Sequence, residues 1–352
     1  MFCNFGCTTN TSLTFQNRLK SSPQFYDGKF HNKEDGIYDA GGAWRRALSE
    51  IFFGIRVDPV PEQEPPIQRF TGTDFYKNDE KLLRFSRLGH SSILIQLGNK
   101  IWLTDPIFSE RVSIYQWLGP KRFHPAPIKI EELPTIDGVL ISHNHYDHLD
   151  HDSIMKLKDK VKHFYVPLGL GNILLSWGVQ VEKITELDWW ESRKIENVEL
   201  VSTPAQHFSG RGFFDGAETL WTSWVIRTPQ HSVFFSGDTG YFDGFKKIGG
   251  RYGPFDFTFL ECGGYDDSWR SMHMMPDDTL KAFNDLKGKI LVPIHNGTFD
   301  MAFHPWYEPM ENIMKLSKEE KIQTLFPFMG QIVDINNVPK SVRWWELFTN
   351  AR

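Results

Sequence analysis

Four apolar runs of strand length in this 352-residue chain end in a histidine or an aspartate: "DGVLIS" before "HNHYDH" (143–148), "VELVSTPA" shortly before His207, "HSVFFSG" before Asp238, and "KILVPI" before His295. A strand is a rigid support, and loops leaving such supports are where reactive groups collect. Each residue alone has a bland reading. A lone histidine is more often a hydrogen-bonded core or turn residue, and a lone "GDTG" an aspartate stabilising a turn. Their joint occurrence in order is what constrains the fold, since one set of strands has to deliver all of them.

Further runs of the same kind, "SSILIQL", "KIWLTD", "HFYVPL", "LWTSWVIRT" and "FTFLEC", fill the chain from residue 83 onward between Gly, Pro and Asp. Several are apolar nearly throughout, as in strands covered on both faces. Helical patterns lie among them, "HDSIMKLKDK" (151–160) and "PDDTLKAFNDLK" (276–287). Sheets covered by helices, an α/β fold layered αββα, fit this alternation better than a barrel or a helical bundle. A chain of this length buries roughly three quarters of its unfolded surface, enough for a sizeable core. We read residues 41–352 as a single domain and residues 1–40, polar and rich in Asn, Ser, Thr and Gly, as a poorly ordered or surface-wrapping N-terminal arm. "AWRRALSEIFFGI" (43–55) has helical spacing, and "VDPVPEQEPPIQ" after it is a proline-rich connector.

The net charge of -5, with no long Lys/Arg block, leaves no electrostatic footprint for nucleic acid. Cys3, Cys7 and Cys262 are too few for a disulfide framework and lie outside the 141–151 cluster, which points to a reducing, intracellular compartment. Neither a signal peptide nor a run of apolar residues long enough to span a membrane is expected. Aromatic residues, at 14% with 12 Trp and 29 Phe, exceed what an ordinary core asks for.

In extended backbone His143 and His145 point the same way, and Asp147 and His148 form a second pair after a turn. Two ligand pairs on one loop point to two metal ions. Imidazole and carboxylate suit zinc, and by type they also fit manganese or iron. His207, Asp238 and His295 supply the remaining partners. Asp150 or Asp152 reads as the N-cap of the following helix, with His151 a solvated neighbour.

The ordered set "HNHYDH", "PAQH", "GDTG", "PIH" resembles the metallo-β-lactamase superfamily, an αββα sandwich with its active site at one edge of two sheets. "LGHSSILIQLGNKIWLTDPIFSER", "GPKRF", "ISHNHYDHLD", "TPAQH", "GDTGYF" and "HMMPDD" followed by "IHNGTFDMAF" resemble more closely its N-acyl-phosphatidylethanolamine-hydrolysing phospholipases D, across residues 83–310. The resemblance implies that His143, His145 and His207 hold one zinc, that Asp147, His148 and His295 hold a second, and that Asp238 bridges them. It implies further that Tyr146 and His273 contact the phospholipid, and that the chain forms a homodimer. His90 and Asp105 match positions behind the metals, although Asp105 equally suits a turn before Pro106. Asn296 stands where the family has an aromatic, and the arm shows only "FYDGKFHN".

Two zinc ions about 3.5–4 Å apart would ionise a shared water and neutralise phosphoryl charge. The expected reaction is attack of the bridging hydroxide on phosphorus, with N-acylethanolamine leaving and phosphatidic acid remaining. Asp147 and Asp238 at the nucleophile and His273 at a phosphoryl or departing oxygen are the expected catalytic residues. His273 has the plainer alternative of merely preceding the helix that starts at Pro276. Trp and Tyr suit a lipid interface, so "IYQWLGPKRF" (114–123), "SWGV" and "FHPWY" (303–307) are candidates for peripheral membrane contact, on the cytosolic face of internal membranes, with Lys121 and Arg122 meeting lipid phosphates. "DWW" (188–190) and "RWW" (343–345) read as packing against the sheets. Competing readings are a lactone or thioester hydrolase on the same fold, and a non-catalytic lipid-binding scaffold.

Overall fold

Strands form where the runs are apolar or alternating, and a computed structural model describes them within residues 15, 17–33, 49, 54, 56–212 and 214–349. The expected helix over 43–55 lies outside the described residues, apart from Ser49 and Gly54, as do Cys3 and Cys7. A short hairpin comes first, β1 (Phe25–Tyr26) and β2 (Lys29–Phe30), turning at Asp27 and Gly28 with φ of 53° and 77°. Asp-Gly is the pair that takes this left-handed turn at least cost.

Two mixed sheets follow. The first runs in the order β15-β3-β4-β5-β6-β7-β8, from β3 (Leu83–Gly89), β4 (Ser92–Leu97), β5 (Lys100–Thr104), β6 (Gly138–Leu140), β7 (Phe164–Pro167), β8 (Ile184–Leu187) and β15 (Ile332–Asp334). The second runs β14-β13-β12-β11-β10-β9, from β9 (Ser192–Ile195), β10 (Val198–Thr203), β11 (Ser223–Arg227), β12 (Ser232–Phe235), β13 (Phe255–Glu261) and β14 (Gly288–Ile294). Strands β5 to β8 are mutually parallel, and so are β12 to β14. Strand β3 is antiparallel to β4 and β4 to β5, and β10 is antiparallel to β11 and β11 to β12. Hence β3, β5 and β6 end at one edge of their sheet, and β10, β12, β13 and β14 end together at one edge of theirs.

Side-chain alternation fills three layers. Ile93, Ile95, Trp102, Trp224, Phe235, Phe257, Phe259, Val292 and Ile294 form the buried layer between the sheets. Leu94, Leu103 and Val139 face the other way, onto Ile154 and Leu157 of the helix His151–Leu157 and Leu170 and Leu174 of the helix Leu170–Ser176. Phe234 and Leu291 face outward onto the helices Gly244–Tyr252, Pro276–Asp285 and Glu308–Glu319 through Phe245, Ile248, Leu280, Phe283, Met310 and Ile313. The αββα order of layers is therefore the one the sequence implied. Trp189, Trp344 and Trp345 are buried, as a packing role for "DWW" and "RWW" requires.

Strand β3 does not read as an apolar run because Arg84 and Arg87 interrupt it, yet both are buried: Arg84 donates to Phe75 O and Asp334, and Arg87 to Asn296. Its Phe85 packs edge-on to Phe257 and Phe259 of the facing sheet, with ring centroids 4.8 and 4.9 Å away. Phe85→Ala should cost about 3–5 kcal/mol, read as a lower guanidinium midpoint with an unchanged slope.

Candidate metal centre

Each ligand-type residue of the sequence sits just past a strand end on the shared edge. His90 follows β3, Asp105 follows β5, His143 to His148 follow β6, His207 follows β10, Asp238 follows β12 and His295 follows β14. The two sheets are stitched there by Thr222 N donating to Ser142 O (2.9 Å) and Trp224 Nε1 donating to Ile141 O (3.0 Å). Gly237 makes the approach possible, since a Cβ there would stand 2.4 Å from Ser142 Cβ. His90, Asp105 and His295 are held at φ of 54°, 33° and 64°. Non-glycine residues in that region each cost about 1–3 kcal/mol and persist only where surroundings over-determine them, as at functional sites.

All seven expected ligands converge. The Nε2 of His143 lies 2.9 Å from Nδ1 of His145, which lies 3.3 Å from Nε2 of His207. On the other side Nε2 of His295 and Nε2 of His148 stand 3.3 and 3.4 Å from Oδ2 of Asp147. Oδ2 of Asp238 lies between the groups, 3.1 Å from both His148 and His295 and 3.9 Å from both His143 and His207. Donor atoms about 2.0–2.1 Å from a tetrahedral ion are themselves about 3.3 Å apart, so these spacings fit metal coordination. Asp238 Oδ1 is buried with no hydrogen-bond partner, as expected of a carboxylate oxygen that faces a cation. The residues present fit two divalent ions sharing Asp238.

The groups behind the ligands set which nitrogen points inward. Asp105 is wholly buried and accepts from Ser142 N, Ser142 Oγ and His148 Nδ1 at 2.7, 2.6 and 2.7 Å, which turns His148 Nε2 toward Asp238. Asp105 is thus more than a turn residue, although it also closes one. His207 Nδ1 donates to Met272 O at 3.0 Å, which aims Nε2 at His145. His90 Nε2 lies 2.9 Å from Asp147 Oδ2. Such partners orient a ligand and raise its basicity.

Burial pushes His143 and His207 well below the ordinary imidazole value and His145 down to about 4, so these three are neutral and present lone pairs. His148 and His295 behave oppositely. Burial opposes their charge, but Asp238 and Asp147 beside them raise His148 well above its usual value and His295 to about 10. The same contacts, chiefly with His148, hold Asp147 and Asp238 well below the carboxylate range despite burial.

His273 lines the cleft with His145, Asp147, Asp238, His295 and Trp269. Its ring lies 5.0 Å from that of His207, and its Nδ1 is 3.5 Å from the buried carboxylate of Glu261. Gly264 leaves room for it, because a Cβ there would come within 3.0 Å of His273 Nδ1. Tyr146 lies apart, in a neighbouring pocket with Ile114, Trp177 and Arg211. The guanidinium of Arg211 stacks 3.9 Å over the Tyr146 ring and donates to the carbonyls of Asn144 and Leu149. Gly210 N donates to Asn144 Oδ1, so the His207 loop braces the cluster loop at both ends. Sequence reasoning missed Glu261 and Arg211; its only signal for either is the place of Arg211 four residues after His207.

Two expectations need correction. Arg122 is 9% exposed and donates to the carbonyls of Leu88, Ile107 and His124, so it holds loops together and does not face lipid. Trp306 of "FHPWY" is likewise core. Asn296 is buried and bonded to Arg87, Cys262 O and Ile294 O, so its departure from an aromatic alters the support under His295. Asp150 is the N-cap residue as expected, accepting from Ser153 and from Ser109 N, and His151 is solvent-exposed.

This fold and rim define a metal-dependent hydrolase. Residues 101–296 match the family described as Beta-lactamase superfamily domain, and the chain belongs to that superfamily. An N-acyl-phosphatidylethanolamine-hydrolyzing phospholipase D of Caenorhabditis elegans is 32% identical over 92% of this chain and 97% of its own. An uncharacterized protein of Mycobacterium tuberculosis is 41% identical over 82% of this chain and 76% of its own. Among solved structures, the metallo hydrolase Igni18 of Ignicoccus hospitalis shares the fold, with a TM-score of 0.55 and 21% identity over 72% of this chain and 98% of that one.

Because Asp238 and Asp147 raise His148 and His295 above the usual imidazole value, favouring their protonated forms, loading metal-free protein should release protons, and affinity on that side should fall as pH drops through neutrality. Calorimetric titration with a divalent ion in buffers of differing ionisation enthalpy reads this directly; loading without proton release near neutral pH would mean that His148 and His295 are already neutral in the metal-free protein.

Proposed function

We propose that the chain is a phospholipase D-type phosphodiesterase that hydrolyses N-acyl-phosphatidylethanolamine to N-acylethanolamine and phosphatidic acid with two zinc ions. The observation that carries the two-metal reading is Asp238 Oδ2, flanked at 3.1 to 3.9 Å by histidines of both ligand groups. The substrate class is supported by the 32% identity with the nematode phospholipase D along nearly all of both chains. The nitrogen-rich donors favour zinc, which when bound supplies a water that ionises near neutral pH and charge to offset the phosphodiester.

The chain's own groups do the rest. Asp147 faces the cleft while its Oδ2 is engaged by His90, His148 and His295, so Oδ1 orients the attacking water and takes its proton. His273 stands at the mouth, where a ring N–H donates to a phosphoryl oxygen or to the departing ethanolamide oxygen. Phe208, Trp269, Met272 and Met301 give the cleft an apolar lining beside these polar groups, as an acylated headgroup demands.

A surface for lipid lies next to it. Ile114, Tyr115, Trp117 and Leu118 are 52–75% exposed on one loop, with Tyr115 and Trp117 stacked. Ser113, Ile114 and Gln116 of this loop share a pocket with Tyr146, next in sequence to His145 and Asp147. Among the described residues no helix is long and apolar enough to cross a membrane. Peripheral insertion of this tip accounts for part of the aromatic excess and places Tyr146 where a phospholipid enters.

Mass spectrometry of metal-quantified protein with N-acyl-phosphatidylethanolamine in mixed micelles should show N-acylethanolamine and phosphatidic acid in equal amounts, lost in Asp147→Asn. His273→Ala should slow turnover about 10²–10³-fold while both metals stay bound. No release by doubly loaded protein would redirect the search to lactones and thioesters. Separately, Trp117→Ala with Leu118→Ala should weaken co-sedimentation with phospholipid vesicles while leaving hydrolysis of a micellar short-chain substrate intact; unchanged sedimentation would rule the tip out.

A further inference from the structure

The N-terminal arm reaches the metal centre. The hairpin β1–β2 packs Phe30, 2% exposed, among Leu168, Trp189, Ala205, Leu220 and Trp221, and Phe30 N donates to Ala217 O at 2.8 Å. Two residues later Asn32 meets the backbone of His207 from both sides. Its Nδ2 donates to His207 O at 2.8 Å, and its Oδ1 accepts from His207 N at 3.1 Å. The same Oδ1 accepts from Trp221 Nε1 at 2.9 Å, and Trp221 Nε1 also reaches Ala205 O at 3.1 Å. A carboxamide paired with both polar atoms of one residue acts like an added strand partner for a segment that has left β10 and that, among the described residues, pairs with no strand.

We propose that Asn32 is a positioning residue of the metal centre, and that docking of the arm and metal binding through His207 reinforce each other. Within the His207 side chain, Met272 O fixes the ring's rotation; the main chain that carries the ring is fixed by Asn32. A ligand whose backbone drifts loses the spacing to His145 and Asp238 that coordination needs, and partners of this kind are typically worth 10- to 100-fold in metal affinity. Linkage then runs in both directions: if the arm tightens metal, metal tightens the arm by the same factor. The inference rests on His207 being a metal ligand.

Competition with a chromophoric chelator resolves the two zinc constants of the full chain. In Asn32→Ala the affinity of the His143/His145/His207 side should fall about 10- to 100-fold, with the Asp147/His148/His295 side little changed, and Asn32→Asp, which keeps the acceptor but loses the donor, should fall between Ala and the native residue. The reciprocal arm uses the native chain. Lys29 and Lys33 are exposed beside the clasp, so trypsin should cut there several-fold faster after metal is stripped by chelator than in the zinc-loaded protein. Unchanged zinc constants in Asn32→Ala, an equal loss on both sides, or cleavage at Lys29 and Lys33 indifferent to metal would overturn the clasp. Failure of the native chain to bind zinc at all would instead overturn the metal reading on which it rests, so the two failures are distinguishable.

Discussion

Oδ2 of Asp238 has imidazole nitrogens around it from three strand ends, those of β6, β10 and β14, and much of the rim is arranged to keep them there. Burying so many lone pairs and carboxylate charges away from water is unfavourable unless they are paired or coordinate a cation. Part of this need is met by the carboxylates of Asp147 and Asp238, which raise His148 and His295 above the usual imidazole range despite burial. On the other side burial holds His143, His145 and His207 neutral, with ring nitrogens 2.9 and 3.3 Å apart, close enough to share an N–H or to converge on a cation.

Holding this unfavourable cluster falls to the fold around it. Two sheets bound through an aromatic inner layer fix the strand ends, and Gly237 lets the exits of β6 and β12 touch. Asp105, Met272 O and Asn32 then fix, in turn, which nitrogen points inward, how a ring is rotated and where a backbone lies. The left-handed backbone at His90, Asp105 and His295 shows that the strand exits are strained into place by these surroundings.

Much of this could be read from residues in order. The ends of "DGVLIS", "VELVSTPA", "HSVFFSG" and "KILVPI" carry their ligands into one centre, and the αββα layering follows from their apolar continuity. Strands β3, β8, β9 and β15 are harder to see: β3 hides two buried arginines, β9 is a polar edge strand, and β15 has three residues. Their identity as strands comes from neighbours distant in sequence, to which a local pattern is blind. The same holds for Arg122, whose charge suggests a lipid phosphate and whose guanidinium is taken up by three carbonyls.

Residue chemistry and periodicity are local properties, so the order of residues alone makes legible the candidate donors, two pairs on one loop plus three distant residues, and the layered class of fold. It took the packed molecule to set Asp238 Oδ2 between the two groups of histidines, to turn Tyr146 toward Arg211, to set Glu261 behind His273, and to bring Asn32, from an arm expected to be poorly ordered or surface-wrapping, onto His207. Those are relations between residues from 12 to 175 positions apart, and their distances are set by how two sheets pack, which no stretch of chain encodes alone.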